Sequence, residues 1–402
     1  MRTTLDVGRQ MAWQYRVTAT GVILAGFSVA TALTQVPKLI SALAAATGAT
    51  VAFFEVRTVH KRTKALVFQP RSGDDYADLV QSEGGRGRML RTSGNVGVAL
   101  IDESRRLRQG SLKAEVDQGD FVLRDELAKW ALPFLARQMR RSTLHNGSVV
   151  GLASDLPTAG GVDVVRLKRV TYYDFVCTNI LSGYDVREVG FGARMYGRNL
   201  FVNRKGRLRA FADSWLANTI GVSTLAITSD GKLLLPFQTK HNVGSPELYP
   251  PSGSGALEQQ DLPPSGRGQL RDVIVHGAVR ELREECGVLT TEVQDSEVLG
   301  HARWFTRGAM PEFAAVTLLS AASEEVEARK VSRGERPYIE MVSSVRFTPM
   351  DQWDPDAPFT MIPHDIGVKA SWPLAFALSC LADVMADQTF RLRTEITQRL
   401  AS

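Results

Sequence analysis

Residues 270–286, LRDVIVHGAVRELREEC, hold no proline and carry apolar side chains at helical spacing. Such a run reads as one long helix of a folded core. Val275, Val279, Leu282 and Cys286 recur on one face and are expected to pack on a sheet, while Glu281, Glu284 and Glu285 project from the other. Gly287 stops the helix. Like charges one turn apart cost stability, so two readings stand. Either Arg280 and Arg283 neutralise a solvated face, or the carboxylates gather round a cation. Three hard oxygen donors without His or Cys suit Mg²⁺ or Mn²⁺ with phosphate oxygens and argue against zinc. Arg280 can hold one carboxylate through a bidentate contact.

The flanks set this helix in an α/β context. GVSTLAITSDGKLLLPFQ is a strand, a Ser229–Asp230–Gly231 turn and a second strand. The Pro-, Gly- and Ser-rich YPPSGSGALEQQDLPPSGRGQ then carries the chain into the helix as a loop.

The run Arg280, Glu281, Leu282, Arg283, Glu284, Glu285, Cys286, Gly287, Val288 resembles the REUxEExGU core of the Nudix box, where U is aliphatic, and every fixed position matches. The family pattern places Gly, five residues, Glu and seven residues before the Arg. Counting back reaches Gly266 and Asp272, with the acid shortened. Gly253 or Gly255 with an insertion before the helix is the other assignment. The likeness spans roughly residues 218–350 and a helix around 373–387. It implies a Nudix-like α/β/α sandwich with a mixed sheet, and hydrolysis of a nucleoside diphosphate linked to a further group. It also implies metal binding by Glu281, Glu284 and Glu285, with Glu284 as ligand or general base and Arg280 beside it in catalysis.

Other candidates carry weaker signals. Glu340 lies on an expected strand and could approach the metal or face solvent, and Glu324, Glu325 and Glu327 read as a solvated segment. His241, His276 and His301 have no ligand spacing. Trp304, Phe305 and Tyr338 could stack on a base, with core packing as the plainer role. Arg166, Lys168, Arg169, Arg204, Lys205, Arg207 and Arg209 could meet phosphate or form a solvated face. In the region before the hairpin, RDELAKWALPFLARQMRRS reads as helix interrupted at Pro133, and VDVVRLKRVTYYDFVCTNI as strands.

At the N-terminus no charge falls between Arg16 and Lys38, or between Lys38 and Glu55. Two apolar spans at about 17–36 and 39–54, joined by a short break, read as a membrane hairpin. Gly21, Gly26 and Gly48 allow close helix packing, and Trp13 and Tyr15 fit an interfacial belt. Arg2, Arg9 and Arg16 before the pair, and Arg57, Lys61, Arg62 and Lys64 after it, put both ends in the cytosol. A buried helix pair and a signal peptide are the rival readings.

The 402 residues allow two or three domains. The expected organisation is a hairpin over 1–62, a middle region of mixed α/β character over 63–210, and a Nudix-like domain with C-terminal helices over 211–402. Forty-eight Lys and Arg against 43 Asp and Glu suit anionic ligands or an anionic membrane, well short of a duplex nucleic-acid binder. Cys177, Cys286 and Cys380 are an odd number with no short spacing, so neither a disulfide framework nor a zinc site is implied.

This domain order resembles the membrane-anchored Nudix effectors of bacterial cyclic-oligonucleotide antiphage signalling (CBASS). The resemblance implies a two-pass protein of the cytoplasmic membrane, compatible with a homo-oligomer. It would bind a nucleotide second messenger in the cytosol and act on the bilayer. The alternative is a membrane-tethered, Mg²⁺-dependent hydrolase of a linear nucleoside diphosphate derivative.

Overall fold

A computed structural model of the chain describes residues 65–140, 144–157, 163–190, 192–240 and 245–401. Both expected membrane spans, and His241, lie outside them. Among the described residues, no helix is long and apolar enough to cross a membrane. The chain divides into two compact units.

The first unit takes its described residues from Met1–Gln69, Leu123–His145 and Tyr184–Tyr196. Strands β1 (Leu66–Pro70), β7 (Tyr184–Glu188) and β8 (Arg194–Tyr196) form its sheet. A helix over Asp125–Gln138 packs Phe134 between Phe68 and Tyr184, with ring centroids 5.3 and 4.9 Å apart. Pro133 does not interrupt this helix as the sequence suggested. The missing N–H is tolerated where Trp130, Leu132, Phe134 and Leu135 are all buried around it.

The second unit takes in Pro70–Val122, Asn146–Gly183 and Gly197–Ser402. The middle region 63–210 is thus divided between the units, and much of it folds with residues 211–402. The larger sheet runs β15 (Ile339–Arg346), β10 (Lys232–Gln238), β9 (Gly221–Ile227), β14 (Met310–Leu319), β13 (Val293–Trp304), β3 (Asn95–Ala99) and β2 (Arg88–Thr92), with β11 (Gly253–Ala256) paired to β9 off that path. The pairing is mixed: β9 and β14 run parallel, the other neighbours antiparallel. The expected hairpin is β9 and β10, closed at Gly231, whose φ of 72° suits a tight turn. A second sheet orders β12 (Arg267–Gln269), β4 (Lys113–Asp120), β6 (Val164–Thr171) and β5 (Ser148–Leu152). Strand β6 ends where the sequence suggested more strand, because Thr171 and Asp174 form a capping box that starts a helix at Tyr172.

The long helix, here α1 (Leu270–Cys286), is buried from both sides over its first half. Val273, Ile274 and Ala278 share a core cluster with Val222, Phe313 and Ala315 of the large sheet, and with Ala114, Val150 and Leu167 of the small one. Helix α2 (Trp372–Ala386) covers the other face of the large sheet, where Trp372 stacks on Trp304 at 5.2 Å between ring centroids. The described residues therefore form a mixed α/β protein with mixed sheets.

Candidate functional site

The buried stripe of α1 runs through Ile274, Ala278, Leu282 and Glu285, one turn apart. That corrects in part the expected division of the helix into an apolar and an acidic face: Leu282 and Cys286 are buried in the core as expected. Val275 and Val279 are only half-buried, while Glu285 is 4% exposed and Glu281 nearly as enclosed. The carboxylates at 281 and 285 continue the apolar stripe because β11 lies against it with glycines. A Cβ on Gly253 would stand 2.3 Å from the Leu282 nitrogen, and one on Gly255 would stand 2.3 Å from the Glu281 carboxyl carbon. At Gly253 the clash is with helix backbone and admits no side chain, whereas at Gly255 it is with the movable end of Glu281.

Arg280 organises the cluster. Its Nε and Nη2 donate to the two Asp261 oxygens at 2.9 and 3.0 Å, and Nη2 also reaches the Ala256 carbonyl at 2.9 Å. Nη1 donates to Glu281 at 2.9 Å and to Glu284 at 3.1 Å. Asp261 is 2% exposed, so this fork is a buried, bidentate pair. Burial works against the Arg280 charge, yet Asp261 and Glu281 hold its pKa above the usual range.

Asp261 thus takes the place expected of Asp272, which is exposed and paired with its neighbour Arg271. Gly255 and Asp261 have the glycine-to-acid spacing of the expected pattern, with Asp in place of Glu and 18 residues in place of seven before Arg280. Gly266, the other glycine candidate, sits in a turn before β12 with φ 68°.

Glu285 takes one described donor, the Ser254 amide at 2.8 Å. Burial raises its pKa well above the carboxylate range, and Glu281 adds to that. Burial likewise pushes Glu281 up to about 8, against the pull of Arg280. Glu335 is a member that sequence reasoning missed. The turn before it rests on α1 through the Ser332 amide and the Glu284 carbonyl at 3.4 Å. Its carboxylate acts on Glu281 and Glu285, and burial followed by Glu284 raises its own pKa. An acid in SRGERP has no spacing signal, and only the fold brings it to the helix.

Besides Asp261, Arg280 therefore pairs with Glu258 at 4.0 Å, with Glu281 and with Glu284, and its charge reaches Glu335, while Glu285 takes the Ser254 amide instead. Among the described residues no three metal-ligating side chains already converge on one point, since Arg280 draws Glu281 and Glu284 to itself. The donor set nonetheless fits a hard divalent ion: all oxygen, two carboxylates enclosed, and more negative charge than Arg280 can offset.

The remaining sequence candidates lie elsewhere. Glu340 is exposed on β15, as are Glu324, Glu325 and Glu327 around a short helix. His276 is exposed, while His301 is buried and stacked on Phe313 at 4.5 Å. Trp304 and Phe305 are core residues, and Tyr338 is half-buried near Glu335. The three cysteines are buried and form no disulfide among the described residues. Of the basic residues, Arg166 pairs with Asp117, and Lys168 is tucked against the Leu216 carbonyl.

No protein-family model matches the chain, and no curated protein matches it. Among solved structures, DR0079 from Deinococcus radiodurans is similar over 31% of this chain at 18% identity, with a TM-score of 0.22. The chain spans 65% of the length of that structure. A likeness at that level carries no argument.

Proposed function

We propose that the α1 cluster is a Nudix-type site that cleaves the pyrophosphate linkage of a nucleoside diphosphate derivative. The observation that carries this reading is the buried Arg280–Asp261 fork, which holds Glu281 and Glu284 beside the enclosed Glu285. Glu281 and Glu285 would hold Mg²⁺ or Mn²⁺, each backed by β11. When bound, the ion neutralises pyrophosphate charge and polarises a water. Glu284, the most solvent-open of the three, either completes the ligand set or takes the water's proton. Arg280 positions both acids and does not need to touch substrate. In this reading the large sheet with α1 and α2 is the Nudix-like α/β/α sandwich.

The second reading is the membrane effector, in which the same site binds a cyclic nucleotide and the signal passes to the bilayer. The uncharged runs before Glu55 favour it. Product analysis with ADP-ribose, a dinucleoside polyphosphate and a nucleotide sugar separates the two. Hydrolysis predicts Mg²⁺-dependent release of a nucleoside monophosphate, with Glu284→Gln and Glu285→Gln each lowering kcat by at least about 100-fold. Turnover unchanged in both variants would remove the hydrolytic reading.

A further inference from the structure

The acidic cluster of α1 has a basic neighbour that the chemistry so far does not use. Residues 329–337, RKVSRGERP, form an arm against the C-terminal half of the helix, and backbone and side-chain bonds fix it along its length. At its start Arg329 grips both Glu292 oxygens at 2.5 and 2.6 Å and the Gly287 carbonyl at 3.3 Å. In the middle the Ser332 amide meets the Glu284 carbonyl at 3.4 Å, and the Ser332 carbonyl accepts from the Glu335 and Arg336 amides at 3.1 and 3.2 Å. At its end Thr239 donates to the Pro337 carbonyl through its hydroxyl and to the Tyr338 carbonyl through its amide, both at 2.8 Å.

Four cations stand on or beside this arm: Lys330, Arg333 and Arg336 within it, and Lys240 next to Thr239. All four are exposed, and none forms an ion pair among the described residues. Arg329 and Arg280, by contrast, are neutralised by carboxylates. Arg336 is partly held, since its Nε donates to the Val331 carbonyl at 3.2 Å, and its two Nη atoms remain for a forked contact with phosphate. A Cβ on Gly334 would meet nothing within 4 Å, so the tip of the arm between Arg333 and Glu335 opens to solvent. An arm anchored at Glu284 yet left with open cations suits an anion that reaches the metal cluster and extends past it.

We propose that this arm binds the phosphates of a substrate beyond its scissile linkage, with Arg333 and Arg336 as the specificity-determining contacts. The inference deepens the pyrophosphate-cleaving reading of the α1 cluster and rests on it. The substrate class it names is a nucleotide with a chain of three or more phosphates, such as a dinucleoside polyphosphate, over a nucleotide sugar. An uncharged sugar after the second phosphate leaves both arginines without a partner, whereas a third phosphate gives them oxygens to grip.

Binding of inorganic tripolyphosphate and pyrophosphate to the full chain, in excess Mg²⁺ at fixed ionic strength, reads the arm whether or not turnover occurs. Tripolyphosphate is expected to bind at least about tenfold tighter than pyrophosphate. Arg333→Gln and Arg336→Gln are each expected to weaken tripolyphosphate about tenfold and pyrophosphate less than about twofold. Arg283→Gln removes the same charge from the side of α1 away from Glu281 and Glu285 and is expected to change neither. All three positions are exposed, so the thermal midpoint should hold. In turnover of a dinucleoside tetraphosphate, the two arm variants should raise KM with kcat within about twofold. Tight tripolyphosphate binding without hydrolysis of any nucleotide supports the arm and counts against the hydrolytic reading alone. The inference is overturned if the two anions bind alike or not at all. It is equally overturned if all three variants weaken tripolyphosphate to the same degree, since net charge would then be the cause.

Discussion

Arg280 shows how far a single residue could be read from the sequence. Its position beside the glutamates implied a carboxylate clamp, and the structure supplies one. The clamp's anchor, Asp261, lies 19 residues upstream and was not among the candidates, since counting back by the family pattern placed the acid of the box at Asp272. Spacing rules assume a fixed loop, and an insertion preserves geometry while destroying the count. Removing one partner of a buried pair leaves the other charged and unsolvated. Arg280→Ala is therefore expected to cost about 3–5 kcal/mol in urea unfolding. Arg280→Lys should recover only part, because an ammonium cannot grip both Asp261 oxygens and the two glutamates at once. A loss under about 1 kcal/mol for Arg280→Ala would mean the fork is solvent-screened.

At the scale of elements, helix α1 and its Gly287 stop were legible, and Gly287 does adopt the left-handed conformation, with φ 68°. Which face it buries was not legible, because α1 touches two sheets and a helix enclosed twice has no simple amphipathic pattern. The glycines of β11 carry the missing information, and they separate two effects. Gly253→Ala sets a methyl against backbone, 2.3 Å from the Leu282 nitrogen, so strand and helix must part. An overpacking cost of about 1–3 kcal/mol is expected in thermal unfolding. Gly255→Ala meets only the end of the Glu281 side chain, so it should fold nearly as well as the native chain while losing much of its response to Mg²⁺. Equal destabilisation by both would show that the glycines serve packing alone.

Over the whole molecule, the mixed α/β class and the β9–β10 hairpin followed from local patterns of apolar residues and turns. The fusion of β2 and β3 onto the large sheet did not, because pairing between strands some two hundred residues apart leaves no local trace. The same is true of Glu335 and of the arm that sets it beside α1. The bilayer reading belongs to residues before Ala65 and stands on their sequence.

The central claim is that Glu281, Glu284 and Glu285 crowd together to hold a divalent ion, and metal-dependent thermal unfolding tests it most directly. A ligand that binds only the folded state stabilises it by about 2.7 kcal/mol at 100 times its dissociation constant. The melting midpoint of the native chain should therefore climb with Mg²⁺ or Mn²⁺ at constant ionic strength. Glu285→Gln, which removes a carboxyl that burial and Glu281 make costly to ionise, should melt higher than the native chain at neutral pH without metal and stay flat as metal is added. A flat midpoint for the native chain up to millimolar Mn²⁺, or an equal climb in Glu285→Gln, would contradict the claim.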